Sequence, residues 1–214
     1  MILLKAKRSL AVIKGGGDLA TGVAYRLFRC GFNIIMTEKS RPLVVRRTVA
    51  LAEAVFSGQT EVGGIKAQRA DNARQALSLA QAGSVAVIVD PRAAIIKQLR
   101  PPVVVDATMA KRNIGTSVLD APLVIGLGPG FTAGYDVHAV IETCRGHDLG
   151  CVIYQGRAKD NTGSPGAILG YTKERLLRAP ASGVLLPVRI IGTPVNTGDV
   201  VAFVGLQPVE APMA

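Results

Sequence analysis

Tryptophan is absent from the 214 residues, aromatic residues make up only 4%, and histidine occurs twice. A core without large rings has to be assembled from Val, Ile, Leu and Ala, the composition of a parallel sheet buried on both faces. Cysteine is scarce and odd in number. Cys30, Cys144 and Cys151 cannot form a fully paired disulfide framework, and they suit a reducing compartment. Long apolar runs are missing too. No stretch reaches the roughly 18 residues that span a bilayer, and the basic segment from Met1 to Leu10 lacks a signal-peptide core and a cleavage site. The expectation is a soluble, cytoplasmic protein without a membrane partner. What is abundant excludes disorder: 49% of residues are apolar, 19% are charged, and mean hydropathy is positive. The length suits one domain with a small appendage, or two compact halves.

Acidic residues are few, 15 against 25 Lys and Arg, and the resulting charge of +10 is lopsided. Residues 1–110 hold 16 basic and 7 acidic side chains, net +9; residues 111–214 hold 9 and 8, net +1. A basic half suits phosphate-bearing partners, whether nucleotide, nucleic acid or an anionic protein surface, and equally suits a general surface bias.

Hydrophobic periodicity alternates between two kinds of segment. Ser9 to Ile13, Phe32 to Met36, Ile65 to Ala67, Val85 to Val89, Val103 to Val105 and Leu123 to Ile125 read as strands. Between them, helices are expected from Asp18 to Cys30, Pro42 to Phe56, Asn72 to Ala82 and Ala93 to Leu99. Gly31 is placed to end the first helix, and Pro101-Pro102 stops the last. Strand–helix alternation at this spacing predicts an α/β fold, a Rossmann-like doubly wound parallel sheet over residues 1–134. Past residue 134 helical periodicity fades and turn signals crowd in, among them Arg145-Gly146, Asp160-Asn161-Thr162-Gly163 and Ser164-Pro165-Gly166. Residues 135–214 therefore read as a smaller β-rich unit.

Gly15-Gly16-Gly17-Asp18-Leu19-Ala20 fits G-x-G-x-x-A between a strand and a helix. Gly15 permits the tight turn, Gly17 lets backbone N–H groups approach a pyrophosphate, and the helix N-terminus faces the anion. Glu38, at the end of the second strand, stands where an acid accepts from a ribose hydroxyl. Asp18 cuts the other way, since its carboxylate occupies the position of a phosphate. Lys39 and Arg41 favour a 2′-phosphate that Glu38 opposes. The loop reads either as a nucleotide site, with Gly15, Gly17, Asp18 and Glu38 as contacts, or as a glycine turn that holds no dinucleotide.

A second glycine loop, Gly126-Leu127-Gly128-Pro129-Gly130-Phe131-Thr132, follows a buried strand. Gly128, Gly130, Phe131 and Thr132 form either an oxyanion nest or a tight turn leaving the sheet. Just beyond it, Glu142, Arg145 and His147 combine an acid, a fixed cation and an imidazole, the ingredients of ligand binding or proton transfer. They equally suit a structural salt bridge. Cys144, His147 and Cys151 are metal-ligand types, but a zinc site wants a fourth ligand and only His138 remains, so no metal is expected.

Three stretches go beyond a generic pattern: Ile13-Lys14-Gly15-Gly16-Gly17-Asp18-Leu19-Ala20-Thr21-Gly22 with Thr37-Glu38; Asp106-Ala107 leading to Met109-Ala110-Lys111-Arg112-Asn113; and Ile125 to Phe131 with Asp136-Val137-His138, Ile141-Glu142-Thr143 and Arg145-Gly146-His147. Together they resemble the YqeB family, accessory proteins of the selenium-dependent molybdenum hydroxylase system, loosely similar to XdhC-type factors. The resemblance implies a maturation or cofactor-handling role: a nucleotide or molybdopterin-type ligand held between the two parts, with a molybdenum hydroxylase or its cofactor-loading machinery as partner. Thr108 and Cys151 stand where such proteins are expected to carry basic residues. Competing readings are an NAD(P)-dependent oxidoreductase, with Glu38 on the ribose and His147 as acid/base, and a protein-docking scaffold without a small ligand. No nucleic acid partner is expected.

From Arg178 onward the chain resembles one half of a lipoyl- or biotinyl-like barrel-sandwich hybrid, with Glu210-Ala211-Pro212-Met213-Ala214 echoing Arg178-Ala179-Pro180-Ala181. The last lysine, Lys173, precedes that segment, so covalent biotin or lipoate is not expected. A half-barrel over 178–214 leaves apolar surface for a near copy of itself, which predicts a homodimer.

Overall fold

The computed structural model describes residues 8–163, 166–173 and 176–213. Residues 1–7, Ser164 and Pro165 of the expected Ser164-Pro165-Gly166 turn signal, Glu174, Arg175 and Ala214 lie outside the described residues. The chain divides into two compact units, Met1–Asp160 and Asn161–Ala214.

The first unit is built on a nine-stranded sheet. In chain order its strands are β1 (Leu10–Lys14), β2 (Asn33–Glu38), β3 (Gln59–Val62), β4 (Ile65–Ala70), β5 (Val85–Val89), β6 (Val103–Asp106), β7 (Leu123–Leu127), β8 (Ala139–Ile141) and β9 (Val152–Ile153). Their spatial order is β3-β4-β5-β2-β1-β6-β7-β8-β9. Strands β4 to β8 along this order pair in parallel, and β3 and β9 add antiparallel edges. The parallel pairing follows from the connections: α1 (Asp18–Arg29), α3 (Ala73–Gln81) and α4 (Ile95–Leu99) carry the chain back across the sheet. A short α2 (Ala54–Ser57) lies between β2 and β3.

Alternate residues of each strand feed opposite faces. Ala11, Ile13, Ile34 and Met36 pack with Ala20 and Ala24 of α1 and with Leu51 and Val55 on one side. Val12, Ile35 and Val104 pack with Ala76 and Ala80 of α3, Ile95 and Ile96 of α4, and Phe131 on the other. Small alanines on the helices let them sit close to a β-branched sheet. Asn72 caps α3 by accepting from the Gln75 N–H at 2.9 Å. Gly31, just past α1, donates its N–H to the Phe28 carbonyl.

Two expectations need correction. The helix expected from Pro42 does not form. Residues 39–46 are irregular, two 3₁₀ turns follow (Arg47–Val49 and Leu51–Glu53), and only Ala54–Ser57 is α-helical. The cause is competition for backbone donors: the Leu51 N–H bonds to Thr21 Oγ1 at 2.9 Å and the Ala52 N–H to the Gly16 carbonyl at 2.9 Å, which ties the segment to α1 and to the first glycine loop. Second, the change of texture near residue 134 is not where the sheet ends. β8 and β9 extend it, reached through loops instead of helices, so periodicity is lost while pairing continues.

The second unit carries a three-stranded antiparallel sheet, β10 (Leu185–Pro187), β11 (Val200–Val204) and β12 (Gln207–Glu210), in that order. Its small core is Ala202, Val204 and Val209. Among the described residues of the whole chain, no helix is long and apolar enough to cross a membrane.

Candidate functional site

In a parallel sheet the connections leave a crevice at the carboxyl ends of the strands, where neighbouring crossovers run to opposite faces. Here β1 is followed by β2 on one side and borders β6 on the other. A cavity of about 670 Å³ opens above β1, β2, β5 and β6, lined by the glycine loop Gly15 to Gly17, Glu38, Lys39, Arg46, Asp90, Arg92 and Thr108, among others. That volume falls in the range of small-molecule sites.

The three loop glycines have different tasks. A Cβ on Gly15 would meet the Ala107 carbonyl oxygen at 3.0 Å, and one on Gly16 would meet Ala52 Cβ at 3.0 Å. Those two are demanded by the protein's own packing. A Cβ on Gly17 would meet nothing within 4 Å, although the residue lines the cavity. Gly17 is therefore the open approach to the first turn of α1, which has no side-chain cap.

The carboxylates near this loop face inward. Glu38 accepts from the Gly16 N–H at 2.9 Å through Oε2 and from the Lys39 N–H at 2.8 Å through Oε1. Asp18, in the first turn of α1, forms an ion pair with Arg46. Each carboxylate supplies negative charge where a bound phosphate would supply it. Lys39 and Arg92 are exposed at the cavity mouth, and neither forms an ion pair among the described residues.

The cavity floor holds a feature that the sequence reading passed over. Lys14 and Asp106 are register partners at the ends of β1 and β6, 7% and 0% exposed. Their side chains form an ion pair at 3.2 Å. Thr116, 4% exposed, accepts from Lys14 Nζ and donates to Asp106 Oδ2. Thr108 donates to Asp106 Oδ1 through its N–H (3.1 Å) and its hydroxyl (2.7 Å). The available signal was a charged residue ending each of two otherwise apolar central strands, where a parallel sheet puts its ligands.

The second glycine loop does not line this cavity, although Met109, which does, would lie 3.2 Å from a Cβ on Gly128. A Cβ on Gly128 would fall 2.5 Å from Thr143 Oγ1, one on Gly130 would fall 2.7 Å from the Arg112 N and Cα, and Phe131 is buried against Gly126. The Thr132 N–H donates to Asp136 Oδ2 at 2.7 Å, and its hydroxyl accepts from Arg157 Nε at 2.8 Å. The positions a side chain would take at Gly128 and Gly130 are filled by protein. None of Gly128, Gly130, Phe131 and Thr132 lines the cavity.

Glu142, Arg145 and His147 are likewise not gathered there. Glu142 is 3% exposed and braces the loop between β8 and β9, accepting from the Cys144 N–H at 2.7 Å and the Lys159 N–H at 2.8 Å. Arg145 and His147 are exposed. His138 Nδ1 accepts from the Val124 N–H at 3.0 Å. Among the described residues no three His, Cys, Asp or Glu side chains converge as a metal site.

Burial would raise the Glu142 carboxyl. The backbone N–H groups of Lys159, Cys144 and Thr143, with the Lys159 charge, outweigh it and hold the carboxyl below its usual value of 4.5. A carboxyl lowered in the folded state contributes stability that is present above 4.5 and lost as pH falls through the folded value. Glu142→Gln should lower the urea midpoint at neutral pH and flatten its decline below about pH 4.5. An unchanged acid limb would show that Glu142 does not carry this dependence.

No family model and no solved structure matches the chain. Over 204 residues, 95% of its length, it is 50% identical to the uncharacterized protein YqeB of Escherichia coli (strain K12), and it spans 38% of that protein. With half of its residues shared across nearly its whole length, the chain belongs to the YqeB family.

Proposed function

We propose that the protein is a ligand-handling accessory factor whose first unit, a Rossmann-like domain, binds a nucleotide or a phosphate-bearing cofactor fragment of the molybdopterin type. The observation that carries this reading is the cavity of about 670 Å³ at the carboxyl ends of β1, β2, β5 and β6, with Gly17 open to it and Lys39 and Arg92 at its mouth. The resemblance of the glycine loop and the Gly126 to His147 region to molybdenum hydroxylase accessory proteins supports a maturation role, with the hydroxylase or its cofactor-loading machinery as partner. On this reading the three-stranded sheet of the second unit serves as a half barrel-sandwich docking element.

The test uses Gly17→Asp. A Cβ at this position would meet nothing within 4 Å beyond its chain neighbours, and aspartate is a favourable helix N-cap, so the fold should tolerate it. The added carboxylate brings negative charge to a residue that lines the cavity. ATP, CTP, NADH, NADPH and molybdopterin are titrated against the melting temperature of both proteins. A concentration-dependent rise in the wild type that is lost in Gly17→Asp is the expected result. Failure of all five compounds to move the wild-type protein removes the reading.

A further inference from the structure

The glycine loop is the usual place to look for a phosphate, yet two of its N–H groups are already engaged, that of Gly15 by the Thr37 carbonyl. The Gly16 N–H bonds to Glu38, and the first turn of α1 holds Asp18, which is paired with Arg46. Two lining cations, Lys39 and Arg92, are exposed at the mouth. Lys14 differs from all of these, being both part of the cavity lining and more than nine-tenths buried.

An ammonium group has three N–H donors. Lys14 Nζ has one hydrogen bond, to Thr116 Oγ1, and one ion pair, to Asp106 Oδ2 at 3.2 Å. Those two partners leave its three donors with capacity for one more acceptor. The low dielectric around a buried donor makes each bond it forms stronger. Asp106 offsets the charge, so Lys14 is not an isolated buried cation. Thr108 and Thr116 both bond to Asp106, which fixes the carboxylate and, through it, the lysine.

We infer that Lys14 is the ligand-binding lysine of this cavity, donating from the floor to a phosphoryl oxygen of the bound compound, while Lys39 and Arg92 supply attraction from the mouth. The assignment rests on the cavity being a nucleotide or cofactor-fragment site. It moves the phosphate anchor from the helix N-terminus to the end of β1.

Calorimetric titration of the full chain with ATP and with adenosine, which has no phosphate, tests it. Lys14→Met leaves Asp106 buried and unpaired, so Lys14→Met/Asp106→Asn, which carries no buried charge, is measured beside it. In the double variant the dissociation constant for ATP should rise about 10- to 100-fold, as expected for a lost hydrogen bond from a charged donor. That for adenosine should change less than about twofold. Lys39→Ala should cost ATP only a few-fold, and less at high salt. A folded double variant that binds ATP as tightly as the wild type overturns the role of Lys14 and leaves the cavity reading standing. A wild-type protein that binds none of ATP, CTP, NADH, NADPH and molybdopterin overturns both.

Discussion

Asp106→Ala is expected to destabilise the protein by about 3–5 kcal/mol, the usual cost of removing one partner from a buried ion pair. Asp106 is fully buried and receives the Thr108 N–H, the Thr108 hydroxyl and the Thr116 hydroxyl in addition to the Lys14 ammonium. Its loss strands the ammonium between two apolar strand ends and leaves two threonines without their acceptor. Asp106→Asn keeps the shape and one acceptor oxygen, and should cost less than the alanine variant. Combining it with Lys14→Met removes the orphaned charge and should recover part of the loss, a coupling that a double-mutant cycle reads directly. Urea midpoints of the wild type, Asp106→Ala, Asp106→Asn, Lys14→Met and the double variant decide the matter. An Asp106→Ala variant within about 1 kcal/mol of the wild type would mean that the pair behaves as a solvated surface bridge.

Gly130→Ala should be comparably damaging, at about 3 kcal/mol or more, because strain and overlap act together. Gly130 has φ +112°, which side chains rarely adopt, and a Cβ there would lie 2.7 Å from Arg112 N and Cα and 2.8 Å from its C. The obstacle is backbone, so no rotamer change relieves it. Gly17→Ala is the matched control. It adds the same methyl group to the other glycine loop, where nothing lies within 4 Å, and should cost no more than about 1 kcal/mol. Comparing soluble yield and denaturation midpoint across the pair checks both statements. Equal stability of the two variants would show that the second loop is not closed on Arg112.

That contrast also marks what the sequence could and could not convey. Both loops carry the same chemical signal, glycines after an apolar strand. Which loop faces a cavity and which faces protein depends on Arg112 and Thr143, residues 18 and 15 positions away from Gly130 and Gly128, that pack into the second loop. Glu38 was legible as a carboxylate at a strand end. Its direction, back onto the Gly16 N–H, was not, since a side chain's rotamer answers to the donors around it. Glu142, Arg145 and His147 are neighbours in sequence, yet one is a buried brace and two are exposed.

The sequence by itself determined the parallel α/β sheet, the strand at Val85–Val89, the helices beginning at Asp18 and after Asn72, and the glycine turn between β1 and α1. These follow from periodicity, capping and backbone freedom, all local properties of the chain. Only the tertiary structure decided that Leu51 and Ala52 give their N–H groups to Thr21 of α1 and to the glycine loop instead of to a helix of their own, and that Lys14 meets Asp106 across 92 positions of chain. Those outcomes depend on which distant acceptor is nearest once the strands have paired, and no local pattern encodes that distance.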